Sequence, residues 1–343
     1  MTSLSALRDL PEKFAVNLTE SMLISLNGEQ ADSYLHGQIT VNINKLDNNI
    51  ARHYAHCDNK GKTWSTGYVT RFAQQLLMLT NAASGNHSLA QLNKYGVFSK
   101  VDILDTSEDF DVFYISQSAV DEVLGNSFPD ADFNTTVAAE DVGYAKFENS
   151  EHGVVFSSGL AKQGVIAILT HEAAKDLKSK LSNAEIACYP QHVFDALQIE
   201  SAHPSLGEQT VAEYIPQMMN VQALNGIDFD KGCYMGQEVV ARTRFLGKNK
   251  RAAYSFSIDE PVDLCAGDTL EKQLGENWRV AGTVISVAKL DGETWFMAVL
   301  SNDTTPEDLH RLADHHAITC YPYSLPYSIE IEQQASNIVK KRR

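Results

Sequence analysis

The residues most able to do chemistry lie in one stretch of this sequence, 226–251. Cys233 sits between two glycines, Gly232 and Gly236, and follows Lys231 by two positions. Glycine lets a backbone approach a partner closely, and residues 237–244 are good helix formers, so the sequence predicts a turn carrying Cys233 just ahead of a helix N-terminus. A thiol placed there, with Lys231 nearby, tends toward a lowered pKa and toward reactivity. The other reading is that Cys233 is a small buried residue, as unpaired cysteines often are. From Arg242 to Arg251, five of ten residues are Lys or Arg, with Phe245 interleaved. Such a patch can meet tRNA phosphates, a polyglutamate tail or an acidic partner, or can be a solvated helix end and linker. His56 and Cys57 are adjacent, which on a strand turns them to opposite faces, so they do not predict a metal site.

The elements that position these groups read as a mixture of short strands and short helices. Strand patterns fall at 22–27, 75–80, 101–104, 112–116, 144–147, 154–157 and 165–169, and helical ones at 29–36, 88–95, 171–181 and 191–200. Runs 53–57 and 64–72 flank Asp58-Asn-Lys-Gly-Lys62, whose Asn and Gly supply the left-handed positions of a hairpin turn. Residues 126–141 read as a loop. No strand leads into a glycine-rich phosphate loop, so the pattern is α+β and disfavours Rossmann or P-loop nucleotide binding. Beyond about residue 250 the chain turns β-rich, with runs at 253–258, 278–290, 295–300 and 318–323, as in a separate small barrel. The end, Lys340-Lys-Arg-Arg343, reads as a solvated basic tail.

Composition narrows the function classes. The chain has 343 residues, 28 Lys+Arg against 44 Asp+Glu, and a formal net charge of -16. An acidic protein has no global counterion-release drive toward a polyanion, so it is not a general nucleic-acid coat. With 43% apolar residues it can bury substantial cores. Five widely spaced cysteines, without a CxxC pair, fit free thiols in a reducing compartment and supply no four-ligand iron–sulfur cluster. The first residues hold no signal-peptide core, and the run 165–169 is far shorter than the ~20 residues that span a bilayer. The expectation is a cytoplasmic protein without a membrane partner.

The stretch Lys231-Gly-Cys-Tyr-Met-Gly-Gln-Glu238 with Arg242 resembles the signature of the YgfZ family, folate-binding relatives of the glycine-cleavage T-protein. Tyr34-Leu-His-Gly-Gln-Ile-Thr40, His56-Cys-Asp-Asn-Lys-Gly-Lys62 before Trp64, Lys94-Tyr-Gly-Val-Phe-Ser-Lys100, and Ile215-Pro-Gln217 with Asn220 agree in order. The resemblance implies two interleaved α+β lobes around a central folate cavity, one from 1–50 with 120–249 and one from 51–119, followed by a β-barrel over 250–330 and the basic tail at 331–343. It further implies tetrahydrofolate or a derivative as cofactor. The role implied is support of the synthesis or repair of iron–sulfur enzymes, hence of tRNA methylthiolation, with those enzymes as partners and Cys233 as the functional thiol. Phe194, Ser21, Tyr234 and Gln237 become folate contacts, with Phe194 and Ser21 at positions where the family often presents tryptophan; Phe194 also suits a plain core role. Lys231, Gly232, Gly236, Glu238 and Arg242 support the motif. The T-protein's acidic pair is matched here by Ser65 and Thr66, which removes the carboxylate an aminomethyl transfer needs. A folate-dependent transferase and a tRNA-binding module remain the competing readings.

Overall fold

The computed structural model describes residues 2–46, 49–135, 143–245 and 249–329. The first part of the chain runs β1 (Phe14–Asn17), β2 (Ser21–Asn27), α1 (Ala31–His36), β3 (Ile50–Cys57), β4 (Thr63–Phe72), β5 (Gln75–Asn81), α2 (Ala82–Gly96) and β6 (Asp102–Asp105). It continues through β7 (Asp111–Ser116), α3 (Gln117–Leu124), β8 (Tyr144–Asn149), β9 (Gly153–Ser157), β10 (Gly164–Leu169), α4 (His171–Asn183), β11 (Ala187–Pro190), α5 (Gln191–Glu200) and α6 (Gln237–Phe245). These strands form one curled sheet in the order β11-β1-β7-β10-β9-β8-β3-β4-β5-β2-β6. Its two halves meet where β3 pairs with β8, through Ile50 opposite Ala145 and Ala51 opposite Tyr144.

The sheet explains the local elements. The expected hairpin forms between β3 and β4, with Asp58 accepting from the backbone of Lys60 and Lys62 and Gly61 at φ +73°. Helix α2 begins six residues before the predicted 88–95 span, because the Asn81 side chain accepts from Ser84 N and caps the helix there. Every residue of β3 is buried, including Arg52, His53 and His56, so the strand shows no inside–outside alternation. Helix α5 is apolar on most sides because it packs between the curled sheet and the C-terminal sheet, sharing a core with Tyr114 and with Ile285, Trp295 and Met297.

The second sheet holds β12 (Arg251–Ile258), β13 (Thr269–Leu274), β14 (Asn277–Lys289), β15 (Thr294–Ser301), β16 (His310–Leu312) and β17 (His315–Cys320), ordered β12-β15-β14-β13-β16-β17. Tyr323 N donates to Ser255 O of β12, which brings the chain after β17 back to the first strand and gives a barrel-like form. The barrel predicted from about residue 250 is therefore present. Strands β13 and β16 escape sequence reading because one is half exposed and the other spans three residues. The basic tail, Lys248 of the basic patch and part of the 126–141 loop lie outside the described residues.

Candidate functional site

The cysteine loop is clamped from both ends. Lys231 is 6% exposed, and its Nζ donates to the carbonyls of His36, Ile39 and Val41 at 2.6, 2.6 and 2.9 Å. Met235 N donates to Gly37 O at 3.1 Å, so residues 231 and 235 are both tied to the end of α1 with Cys233 between them. Gly236 has φ +82°, and a Cβ there would lie 2.5 Å from Asp58 O and 2.8 Å from Gly61 Cα of the β3–β4 turn. Only glycine allows that approach. Tyr234 points inward beneath the Lys231 ammonium, 4.8 Å from ring centroid to Nζ, while Cys233 itself is exposed. Cys233 thus falls on the accessible side of the two readings, and the loop around it is held rigidly.

Lys231 does something other than the sequence predicts. Its ammonium turns inward to three backbone carbonyls instead of serving Cys233, and α6 starts four residues later, with Gln237 N bonded to Tyr234 O. The three acceptors match the three N–H bonds of a charged lysine. Burial nevertheless pushes its pKa from 10.5 down to about 7, with Asp228 opposing. Since the folded chain then binds this proton less tightly than the unfolded chain, the protein should gain stability relative to Lys231→Met as pH rises above about 7, by at most about 1.4 kcal/mol per pH unit. Urea melts of both proteins from pH 6 to 10 would check this; a flat difference would mean that the carbonyl cage keeps the lysine charged throughout.

The chain just before this segment walls a cavity. Leu224 and Asn225 join Arg52, His53, Tyr144, Ser201, His203 and Tyr327 around a space of about 300 Å³, where the two halves of the curled sheet meet the C-terminal segment. That volume sits at the lower end of small-molecule sites, about 300–1,000 Å³. Arg52 makes a two-pronged ion pair with Asp228, with Nη2 to Oδ1 at 3.0 Å and Nη1 to Oδ2 at 3.2 Å, and also donates to Asn225 O. The ring nitrogens His53 Nε2 and His203 Nδ1 lie 3.3 Å apart. Burial holds both imidazoles neutral, His53 well below its usual range and His203 at about 4, with the His203 ring further disfavouring charge on His53. The Nε of Arg52 is buried without a protein partner.

The remaining predicted residues scatter. Phe194 is 4% exposed and packs against Tyr114 with ring centroids 5.6 Å apart, so it belongs to the core and not to the cavity wall. Ser21 lies beside the first turn of α5, its Oγ 3.5 Å from Gln191 Oε1. Glu238 and Arg242 form an exposed i,i+4 pair at 3.7 Å. Arg244 stacks on Phe229, 4.0 Å from the ring centroid. Ser65 and Thr66 are buried, hydrogen-bonded to Ser88 Oγ and Tyr54 O. Sequence reading missed Arg52, His53, His203, Tyr144 and Tyr327. The available signal was an Arg and two His within a strand otherwise apolar enough for a core. Among the described residues no group of three or more His, Cys, Asp or Glu side chains is placed to hold a metal ion, and no helix is long and apolar enough to cross a membrane.

Three comparisons place this chain. The solved glycine cleavage system aminomethyltransferase T from Bartonella henselae matches with a TM-score of 0.67, covering 92% of this chain and 86% of that one at 16% identity, which defines the fold as that of aminomethyltransferase T. Residues 249–315 match the family domain described as YgfZ, beta-barrel domain. The tRNA-modifying protein YgfZ of Colwellia psychrerythraea (strain 34H / ATCC BAA-681) is 34% identical over 330 residues, 96% of this chain and 98% of that protein. The protein of the same name from Yersinia pestis (strain Pestoides F) is 34% identical over 316 residues, 92% of each chain. The chain belongs to the YgfZ family.

Proposed function

We propose that this protein binds tetrahydrofolate or a derivative in the 300 Å³ cavity and supports the synthesis or repair of iron–sulfur enzymes that methylthiolate tRNA, with Cys233 as its functional thiol. The observation that carries the reading is an exposed cysteine on a clamped loop whose chain, a few residues earlier at 223–225, walls the cavity. Arg52, His53 and His203 would form the polar part of the wall around the pterin, and Tyr144 and Tyr327 supply aromatic wall. Bound folate supplies one-carbon or pterin redox chemistry. Direct aminomethyl transfer is disfavoured because the family resemblance matches Ser65 and Thr66 to the transferase's acidic pair, and both hydroxyls are engaged in buried hydrogen bonds. The tRNA-modifying role carried in the relatives' name enters through partner enzymes working in the cytoplasm, since the net charge of -16 opposes broad tRNA binding.

The test is titration of tetrahydrofolate, 5-formyl- and 5-methyl-tetrahydrofolate into the purified chain, followed by calorimetry. At least one form should bind saturably, and binding should weaken about tenfold or more in His53→Leu, the cost of leaving a buried polar ligand group unpaired. No saturable heat with any form would remove the folate half of the reading.

A further inference from the structure

We propose that Tyr95, Val97 and Phe98, at the end of α2, are the anchor by which a client iron–sulfur enzyme docks on this protein; this rests on the reading of the protein as a support for such enzymes. Phe98 is 100% exposed, Val97 70% and Tyr95 42%. Large apolar side chains grouped in the open like this mark interaction sites. The loop that presents them is tied down. Ser99 N donates to Gly96 O at 2.8 Å, Lys100 N to Gln30 Oε1 at 2.7 Å, and Gln30 N to Lys100 O at 3.1 Å. Behind the loop the Tyr95 ring stacks on Trp64, with centroids 6.3 Å apart, and a Cβ on Gly96 would lie 2.9 Å from Ile103 Cδ1. An apolar side chain projected from a rigid loop has little freedom left to lose on binding, which favours association. The stretch 94–100 is one of those that carry the family resemblance, yet among the described residues neither the hydrophobic cores nor the cavity wall includes Val97 or Phe98.

The occupant follows from position, area and charge. Helix α1 joins the two loops: Gln30 at its start is bonded to Lys100, and the carbonyls of His36 and Gly37 at its end hold Lys231 and Met235 on either side of Cys233. Its six residues span about 9 Å at 1.5 Å each. A partner seated on Phe98 therefore lies one short helix from the clamps of the cysteine loop. Three such side chains offer roughly 500 Å² at most, below the ~800 Å² per partner of a stable complex. That fits a transient client and not a permanent dimer of two chains that each carry a net charge of -16. The neighbouring lysines do not make an RNA site, because Lys100 is paired with Glu29 at 2.7 Å and the Lys94 ammonium is drawn over the Tyr95 ring, 5.2 Å from its centroid. Little charge is left there for phosphate. The partner is a protein with an apolar pocket for Phe98 and a polar rim for Lys94.

The experiment uses two versions of the full-length chain in cells lacking the protein: Phe98→Ser, and one with the photo-crosslinker p-benzoylphenylalanine at position 98. Phe98→Ser should keep the wild-type urea midpoint and folate titration while tRNA methylthiolation falls about fivefold or more, the effect of truncating an interface anchor. Val97→Ser repeats the test if Phe98→Ser melts early. Mass spectrometry of the photoproduct should join position 98 to an iron–sulfur enzyme that methylthiolates tRNA. Methylthiolation by Phe98→Ser equal to wild type, in cells where the empty vector gives none, would overturn the proposal. A cross-link to a second copy of this chain, to tRNA or to any other protein would overturn it as well, and so would the absence of any cross-link. The cross-link is read without rescue, so a chain that docks on the enzyme yet proves dispensable for methylthiolation would sink the functional reading and leave the docking site standing.

Discussion

Cys233→Ser is expected to fold, to bind folate as the wild type does, and to fail to restore tRNA methylthiolation in cells lacking the protein. The serine is nearly the same size and sits on a loop whose clamps are elsewhere, in the Lys231 cage and the Gly236 contact, so nothing structural should change. Sulfur chemistry is what the substitution removes. Cys57 and Cys320 are buried, with burial pushing both thiols up to about 12, and Cys188 is half-buried and also raised. Thiols held in that form are poor nucleophiles at neutral pH. Cys265 is exposed but lies in the turn before β13, in a different sheet. Serine at each of those four positions should therefore restore the modification. The readout is mass spectrometry of methylthiolated tRNA nucleosides; full rescue by Cys233→Ser would make the motif a structural turn.

Asp228→Ala should be the most destabilising of the surface-accessible changes near the site. The Arg52 side chain is 4% exposed and that of Asp228 17%, so removing the carboxylate leaves a guanidinium buried without its charge partner. Breaking such a pair costs about 3–5 kcal/mol. Asp228 also accepts from Asn42 N at 2.6 Å, which ties the cysteine segment to the chain after α1. The expected result is a large drop in urea midpoint together with weakened folate binding, because Arg52 loses its anchor in the cavity wall. Replacing both partners, Arg52→Met with Asp228→Leu, should recover most of the stability without recovering binding, since a buried pair and a well-packed apolar pair are often close in energy. A loss below about 1 kcal/mol for Asp228→Ala would mean that water solvates Arg52 in the cavity.

Much of this architecture is local information. The β3–β4 hairpin follows from Asp58 and Gly61, whose turn preferences act over five residues, and α4 and α5 follow from apolar spacing with Thr170 and Pro190 at their starts. The barrel strands β12 and β15 are legible for the same reason: they are continuous apolar runs bounded by turn residues. The turn that carries Cys233 is legible too, since the glycines and lysine around it are unusual in a short window. What the sequence could not determine is where those groups point. Lys231 reads as a neighbour for the thiol, but the carbonyls that capture it lie 190 to 195 residues earlier in the chain. Phe194 reads as core from its own helix and as a stacking platform only through the family resemblance, and the packing of α5 between the two sheets places it in the core. Arg52 and His53 look like odd residues in a strand until Asp228, 176 residues away, and His203, 150 residues away, are brought against them. Turn and helix preferences are decided within a few peptide units, whereas a buried charge or imidazole takes its role from whichever distant groups the packed core places within hydrogen-bonding reach.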